Sequence, residues 1–234
     1  MAARGRASFA EYYDEMAHVV KAVAKADACL DPSTRVLMAD LTWQAIGEVK
    51  PGDLMLAMDE EPSPGLRQRC LREAKVVGVA RNMQRPYRLT FDDGSQVVCS
   101  DNHRWLRMGS PASGKGAAWS TTDRLRVGSR IKALADPWSP EESWEAGYLA
   151  GFFDGEGFIV GSGRSRAVTH QSATRGLGFS QNGGPVLDHV KGLLEQRGFT
   201  YREHRIGGCH QVYIRGVVDQ LRFLGIVRPG RLLE

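Results

Sequence analysis

The sequence predicts a multi-domain chain: a mostly-β domain over residues 29–137, an α+β domain over 138–234, and a separate helix in residues 1–28. Three observations predict it. Between Cys29 and Leu134 the text is a series of short β-forming runs separated by turn residues. After the stretch "ADPWSPEES" it changes to helix and strand patterns in the order αββαββα. Ahead of Cys29 the apolar residues fall at helical spacing instead.

Taken in order, residues 8–27 read as an amphipathic helix, with Phe9, Tyr13, Met16, Val20 and Val23 on one face. Ser8 and Glu11 have the form of a capping box. The runs "TRVLMA", "DLMLAM", "AKVVGVA", "YRLTF" and "SQVVCS" then read as strands, separated by "KPGD", "PSPG" and "DDG". Asp93-Gly94 between two β-forming runs signals a hairpin. In the linker, Ser139 or Ser143 can cap the helix that follows over about 142–154. Strands "GFIVGS" and "LGFSQ", a helix over about 184–197 closed by Gly198, strands "TYREHRI" and "HQVYIRG", and a short helix "VVDQLRFLG" complete the α+β domain.

The bulk numbers fit a globular chain. Of 234 residues 42% are apolar and 25% charged, too apolar for a disordered segment. No apolar run approaches the ~20 residues that span a bilayer, so no membrane partner is expected. The N-terminus has basic residues but no apolar signal core. Cys29, Cys70, Cys99 and Cys209 are widely spaced, which suits reduced thiols and a cytoplasmic location. Cys70 and Cys99 read as structural, and Trp105, Trp119 and Trp138 as core or linker packing. The net charge of +4 is concentrated late: residues 161–234 hold eleven Lys and Arg against five Asp and Glu. Arginine-rich segments of this kind suit phosphate recognition.

The stretch "LAGFFDGEG", residues 149–157, is unusual for a helix. Glycine costs about 1 kcal/mol against alanine at an interior position. Yet Gly147, Gly151 and Gly155 recur every four residues and share one face, where they would let another backbone approach. Leu149, Phe152 and Phe153 can anchor the helix in its own core. Asp154 and Glu156 close it, and carboxylates crowded at one point invite a divalent cation. Read alone, "DGEG" is first a turn that ends the helix.

The nine residues resemble the LAGLIDADG homing endonuclease motif, with Leu149, Ala150, Gly151, Asp154 and Gly157 identical and Glu156 in place of an aspartate. The αββαββα order, the "FSQ" strand and the closing "LRFLG…RPGRLLE" match one repeat of that family. The resemblance implies two such helices in parallel and a four-stranded sheet in the major groove of double-stranded DNA. It further implies Mg2+ held by Glu156 at the scissile phosphates, with Asp154 as a second ligand or a support for the helix end. Gln181 would order water or reach DNA. Arg164, Arg166, Arg202, Arg205 and Arg215 could face phosphates or bases, although taken singly each reads as an ordinary surface residue. Only one repeat is present, so the domain homodimerises, uses a second repeat outside this sequence, or is a relic.

Two further stretches carry a second resemblance. "CLDPSTRVLMADLTWQAIGEVKPGDLMLAM" resembles the first block of an intein, and "DGSQVVCSDNHRWL" the second, whose usual TxxH stands here as Ser100-x-x-His103. The implied fold is the horseshoe-shaped Hint domain. Its chemistry is an N–S acyl shift, in which the Cys29 thiol attacks the Ala28 carbonyl. His103 protonates the departing nitrogen, and Ser100 binds the carbonyl or orients the histidine. Residues 1–28 would then be the flanking N-extein. The family's closing blocks, with their His-Asn pair, are not in the sequence, so splicing requires the missing intein C-terminal segment as a partner. Two alternatives stand beside this reading. One is a stand-alone homodimeric DNA endonuclease with a vestigial Hint domain. The other is an autoprocessing Hint protein that hands its thioester to water or another nucleophile.

Overall fold

The computed structural model describes residues 29–61, 69–109, 116–133, 135–160 and 176–233. The helix expected over 8–27, residue Ala28, Arg164 and Arg166 lie outside them.

The first part is built of four antiparallel pairs. β1 (Arg35–Leu37) pairs with β2 (Trp43–Ala45), and β3 (Leu54–Met58) with β4 (Leu71–Lys75). β5 (Tyr87–Thr90) pairs with β6 (Gln96–Cys99), and β7 (Arg104–Arg107) with β8 (Ala118–Thr121). Isolated bridges join them at Leu30–Cys99, Met38–Met55 and Arg107–Ile131. The mostly-β character is as expected, but among the described residues no closed barrel forms. The hairpin at Asp93-Gly94 is present: Gly94 has φ +84, Gly94 N–H donates to Phe91 O, and Asp93 Oδ1 accepts from Ser95 N–H. Only glycine adopts that φ without cost, which is why the dipeptide marks the turn.

One expected strand is displaced. "AKVVGVA" gives residues 74–80, whereas the ladder is Leu71–Lys75 and closes where Val76 exchanges backbone hydrogen bonds with Gly52 and Asp53. Beyond it Val77 and Val79 are 63% and 47% exposed. Their β-propensity has no neighbouring strand to act on, and propensity without pairing does not make a strand.

The second part follows the expected order. α1 (Trp144–Glu156), β9 (Gly157–Val160), β10 (Gly176–Asn182), α2 (Pro185–Gln196), β11 (Tyr201–Ile206), β12 (Cys209–Ile214) and α3 (Val217–Val227) give αββαββα, and a one-turn α4 (Gly230–Leu233) follows. Of the two candidate caps, Ser143 is the one used: its Oγ accepts from Ala146 N–H at 3.1 Å. The sheet is antiparallel in the order β11-β12-β10-β9. Leu177 and Phe179 of β10 and Val212 and Ile214 of β12 point to one face, where Leu149 and Phe153 of α1 meet them together with the apolar faces of α2 and α3. Each such side chain contributes roughly 1.5–3 kcal/mol by leaving water.

This core does not stop at residue 138. Leu37 and Leu41 of the β part belong to it, joined through Trp138, whose indole N–H donates to Leu41 O at 3.0 Å. Arg228, just past α3, reaches back to Asp40 O. Gly225 of α3 lies under the indole, and a Cβ there would sit 2.0 Å from Trp138 Nε1 and 2.9 Å from Leu41 O. Gly225→Ala is therefore expected to destabilise the chain by about 1–3 kcal/mol through overpacking, despite alanine's better helix propensity. Urea unfolding followed by tryptophan fluorescence would read it; an unchanged midpoint would contradict it.

Candidate functional site

α1 is apolar nearly all round, a pattern that suits a helix buried on every side. Among the described residues only one side of it is buried, through Ala146, Leu149 and Phe153. Its opposite stripe is open. With about 100° per residue, Trp144, Gly147 and Gly155 all lie within roughly 40° of Gly151. The three glycines are exposed, and a Cβ built on any of them meets nothing within 4 Å. Trp144, at the N-terminal end of the stripe, is 70% exposed and stacks on Tyr148. Nothing within the described chain thus accounts for glycine at these positions.

The other end of α1 is tightly organised. Gly157 follows directly, where a Cβ would fall 2.3 Å from Phe153 O. Both carboxylate oxygens of Asp154 are engaged, accepting from Gly230 N–H at 3.1 Å and Arg231 N–H at 2.9 Å. Asp154 is thus a support of the helix end and the cap of α4. Arg231 returns the contact: its guanidinium donates to the carbonyls of Phe153 at 3.1 Å, Asp154 at 2.5 Å and Gly157 at 2.6 Å. Glu156, the last residue of α1, is exposed and makes no hydrogen bond or ion pair with the described residues.

The ladder brings Gln181 to the same end of the sheet. Phe179 pairs with Gly157, so Gln181 lies two residues past the start of β9, on the helix-covered face with Leu177 and Phe179. Its Oε1 accepts from Asn182 N–H. As for metal binding, among the described residues no three His, Cys, Asp or Glu side chains gather at one point. A single uncommitted carboxylate is still a suitable hard donor for Mg2+, which retains waters and takes one or two carboxylates plus substrate phosphates.

The arginines divide by strand parity. Arg202 pairs with Tyr213, and Arg205 with His210. Three residues apart, they point to opposite faces: Arg202 is on the open face of the sheet and Arg205 on the side of the helices. Arg215 is exposed just past β12, in the parity of Tyr213. The open face also carries residues that the arginine pattern did not reveal: Ser180, His204, Gln211, and Phe158 packed edge-on against Tyr213 at 5.4 Å. Counting by twos from buried Phe179 and Val212 is the signal that finds them.

In the β part Cys29 and Ser100 come together, and the backbone of His103 is tied to Ser100. Cys29 N–H donates to Ser100 Oγ at 2.9 Å, and Ser100 N–H to Cys29 O. The serine hydroxyl has one proton, and Asn102 Oδ1 receives it at 2.7 Å, which leaves a lone pair for the Cys29 amide. Asn102 is a residue sequence reasoning passed over. His103 is fixed by its backbone to Ser100 and Thr122, and by an edge contact with Trp105. Its Nδ1 is buried without a hydrogen-bond partner among the described residues, and burial pushes the imidazole pKa below its ordinary value. Cys99 is structural as expected: buried against Thr122 Oγ1, with its thiol pKa raised by burial. All four cysteines are free thiols. No helix among the described residues is long and apolar enough to cross a membrane.

A family model described as a LAGLIDADG-like domain matches residues 143–228, the segment from the cap of α1 through the end of α3. No curated protein matches the chain. Residues 143–228 therefore carry a LAGLIDADG-like domain, and the β part lies outside the match.

Proposed function

We propose that this LAGLIDADG-like domain is one half of a homing-endonuclease-type site that binds and cleaves double-stranded DNA with Mg2+, completed by a second such domain. The observation that carries the reading is the glycine stripe of α1, open along its length and ending beside the uncommitted Glu156. Two helices meeting along glycines approach more closely than the usual 8–10 Å between axes, and each brings one Glu156 to the shared end. A bound metal would supply charge neutralisation and a nucleophilic water for phosphodiester hydrolysis. Glu156 would hold it, and Gln181 at the same sheet end would orient water. Arg202 and Arg215 would hold the DNA backbone, while Gln211 and His204 lie where base edges would be read. The chain supplies one such helix, and a second copy of it is the simplest partner. The test is sedimentation of the chain with double-stranded DNA, together with cleavage of a randomised duplex library in Mg2+. A dimer that cuts in Mg2+ and stops on chelation is expected; a monomer that neither binds nor cuts duplexes would refute the reading.

A second reading is favoured by a separate observation, the hydrogen bond from the Cys29 amide to Ser100. In an N–S acyl shift the Cys29 sulfur forms a bond to the Ala28 carbonyl carbon, the C–N bond breaks, and the nitrogen leaves as an amine carrying the proton. Amide resonance opposes this step. Ser100 grips the nitrogen that must leave, and His103 Nδ1 has no competing partner among the described residues. This supports residues 29–137 as an intein-type Hint domain that acts with a C-terminal segment supplied separately. Loss of residues 1–28 on incubation with dithiothreitol, read by mass spectrometry, is the expected result.

A further inference from the structure

We infer that Arg231 is a positioning residue for Glu156. The inference rests on the reading of Glu156 as the carboxylate that holds the metal, and it concerns a residue three positions past the end of the family match. The last carbonyls of a helix have no partner within it. In α1 the Arg231 guanidinium donates to Asp154 O and adds a second donor to Phe153 O, which already accepts the Gly157 N–H, and it also reaches Gly157 O across Glu156. One planar fork thus holds the backbone on both sides of the residue that matters. The arrangement is reciprocal, because Asp154 accepts the backbone N–H of Gly230 and Arg231 and so fixes where the guanidinium starts. Glu156 makes no hydrogen bond or ion pair with the described residues, so its backbone is what these contacts place.

Charge and geometry make different predictions. If Arg231 acted as a positive charge at the negative end of the helix, removing it would strengthen cation binding at Glu156. If it acts by geometry, removing it weakens that binding. The requirement is for a fork that spans three carbonyls, and a lysine ammonium does not reproduce it.

The experiment uses the full chain and Mn2+ alone, titrated by electron paramagnetic resonance, with hydrogen exchange of the Glu156 and Gly157 amides measured in parallel. Arg231→Met and Arg231→Lys are both expected to weaken Mn2+ binding about tenfold or more, the usual effect of losing a residue that orients a metal ligand. Both are expected to speed exchange at those two amides. Arg231→Lys covers the case in which Arg231→Met does not fold. Wild-type affinity in Arg231→Lys, or tighter binding in Arg231→Met, would overturn the positioning role. Glu156→Gln separates the two levels. If it loses Mn2+ while the Arg231 variants keep it, only the present inference fails. If it keeps Mn2+, the reading of Glu156 fails as well.

Discussion

Gly151→Leu is expected to make the chain more stable and to abolish its action on DNA. The position is interior to α1, exposed, and faces open space. Leucine recovers roughly 1 kcal/mol of helix propensity there, which raises the melting temperature by about 2–4 °C for a chain of this size. The same side chain stands in the middle of the stripe along which a second helix must lie, and it prevents the two Glu156 residues from converging. Misplacement by about 1 Å already costs on the order of a hundredfold in rate, so cleavage should fall below detection. Gly192→Leu is the control. Gly192 is in α2, where a Cβ also meets nothing, and substitution there offers the same propensity gain away from the stripe. Higher melting temperatures in both variants, with loss of pairing and cleavage in Gly151→Leu only, is the expected outcome. If Gly151→Leu sediments and cuts like the wild type, the stripe is not a contact surface.

The second large effect is on the Ala28–Cys29 bond. Incubated with dithiothreitol, the wild-type chain should lose residues 1–28, and Cys29→Ala should keep them under every condition because it lacks the nucleophile. His103→Ala should slow the loss by about 10²–10⁴-fold, the usual contribution of a positioned proton donor. Burial lowers the pKa of His103 and so favours its neutral imidazole. In an acyl shift a neutral imidazole would pass the proton of the attacking thiol to the departing amine. Ser100→Ala leaves the Cys29 amide without its acceptor and should also be slower. An intact wild-type mass in thiol, or equal fragmentation of Cys29→Ala, would dispose of the acyl shift in this chain.

Much of this arrangement was legible in the sequence where the cause is local. The Asp93-Gly94 hairpin follows from one backbone angle, and the Ser143 cap from a hydroxyl three residues before an orphan N–H. The glycine spacing of α1 reads directly as a helix face. What was illegible depends on residues far apart in the chain. Val77 and Val79 have the composition of a strand but no neighbour to pair with. Which face Arg202 and Arg205 take depends on the ladder, which puts them on opposite sides of the sheet. Asp154 reads as a support for the helix end or a second ligand, but that its partners are Gly230 and Arg231, more than seventy positions on, is not readable from its neighbours in sequence. Asn102 was passed over because its role exists only once Cys29 and Ser100 are brought together.

The indole of Trp138 has a consequence for inheritance. Leu41, Trp138 and Gly225 meet at one point although they are spread over most of the chain. A recombination event that exchanged the C-terminal unit at the textual boundary near residue 137 would bring in a new tryptophan and glycine but retain the old turn at residues 38–42. The descendant folds well only if that turn already offers its carbonyl to an indole. Exchange of either unit alone is therefore expected to cost stability at this contact.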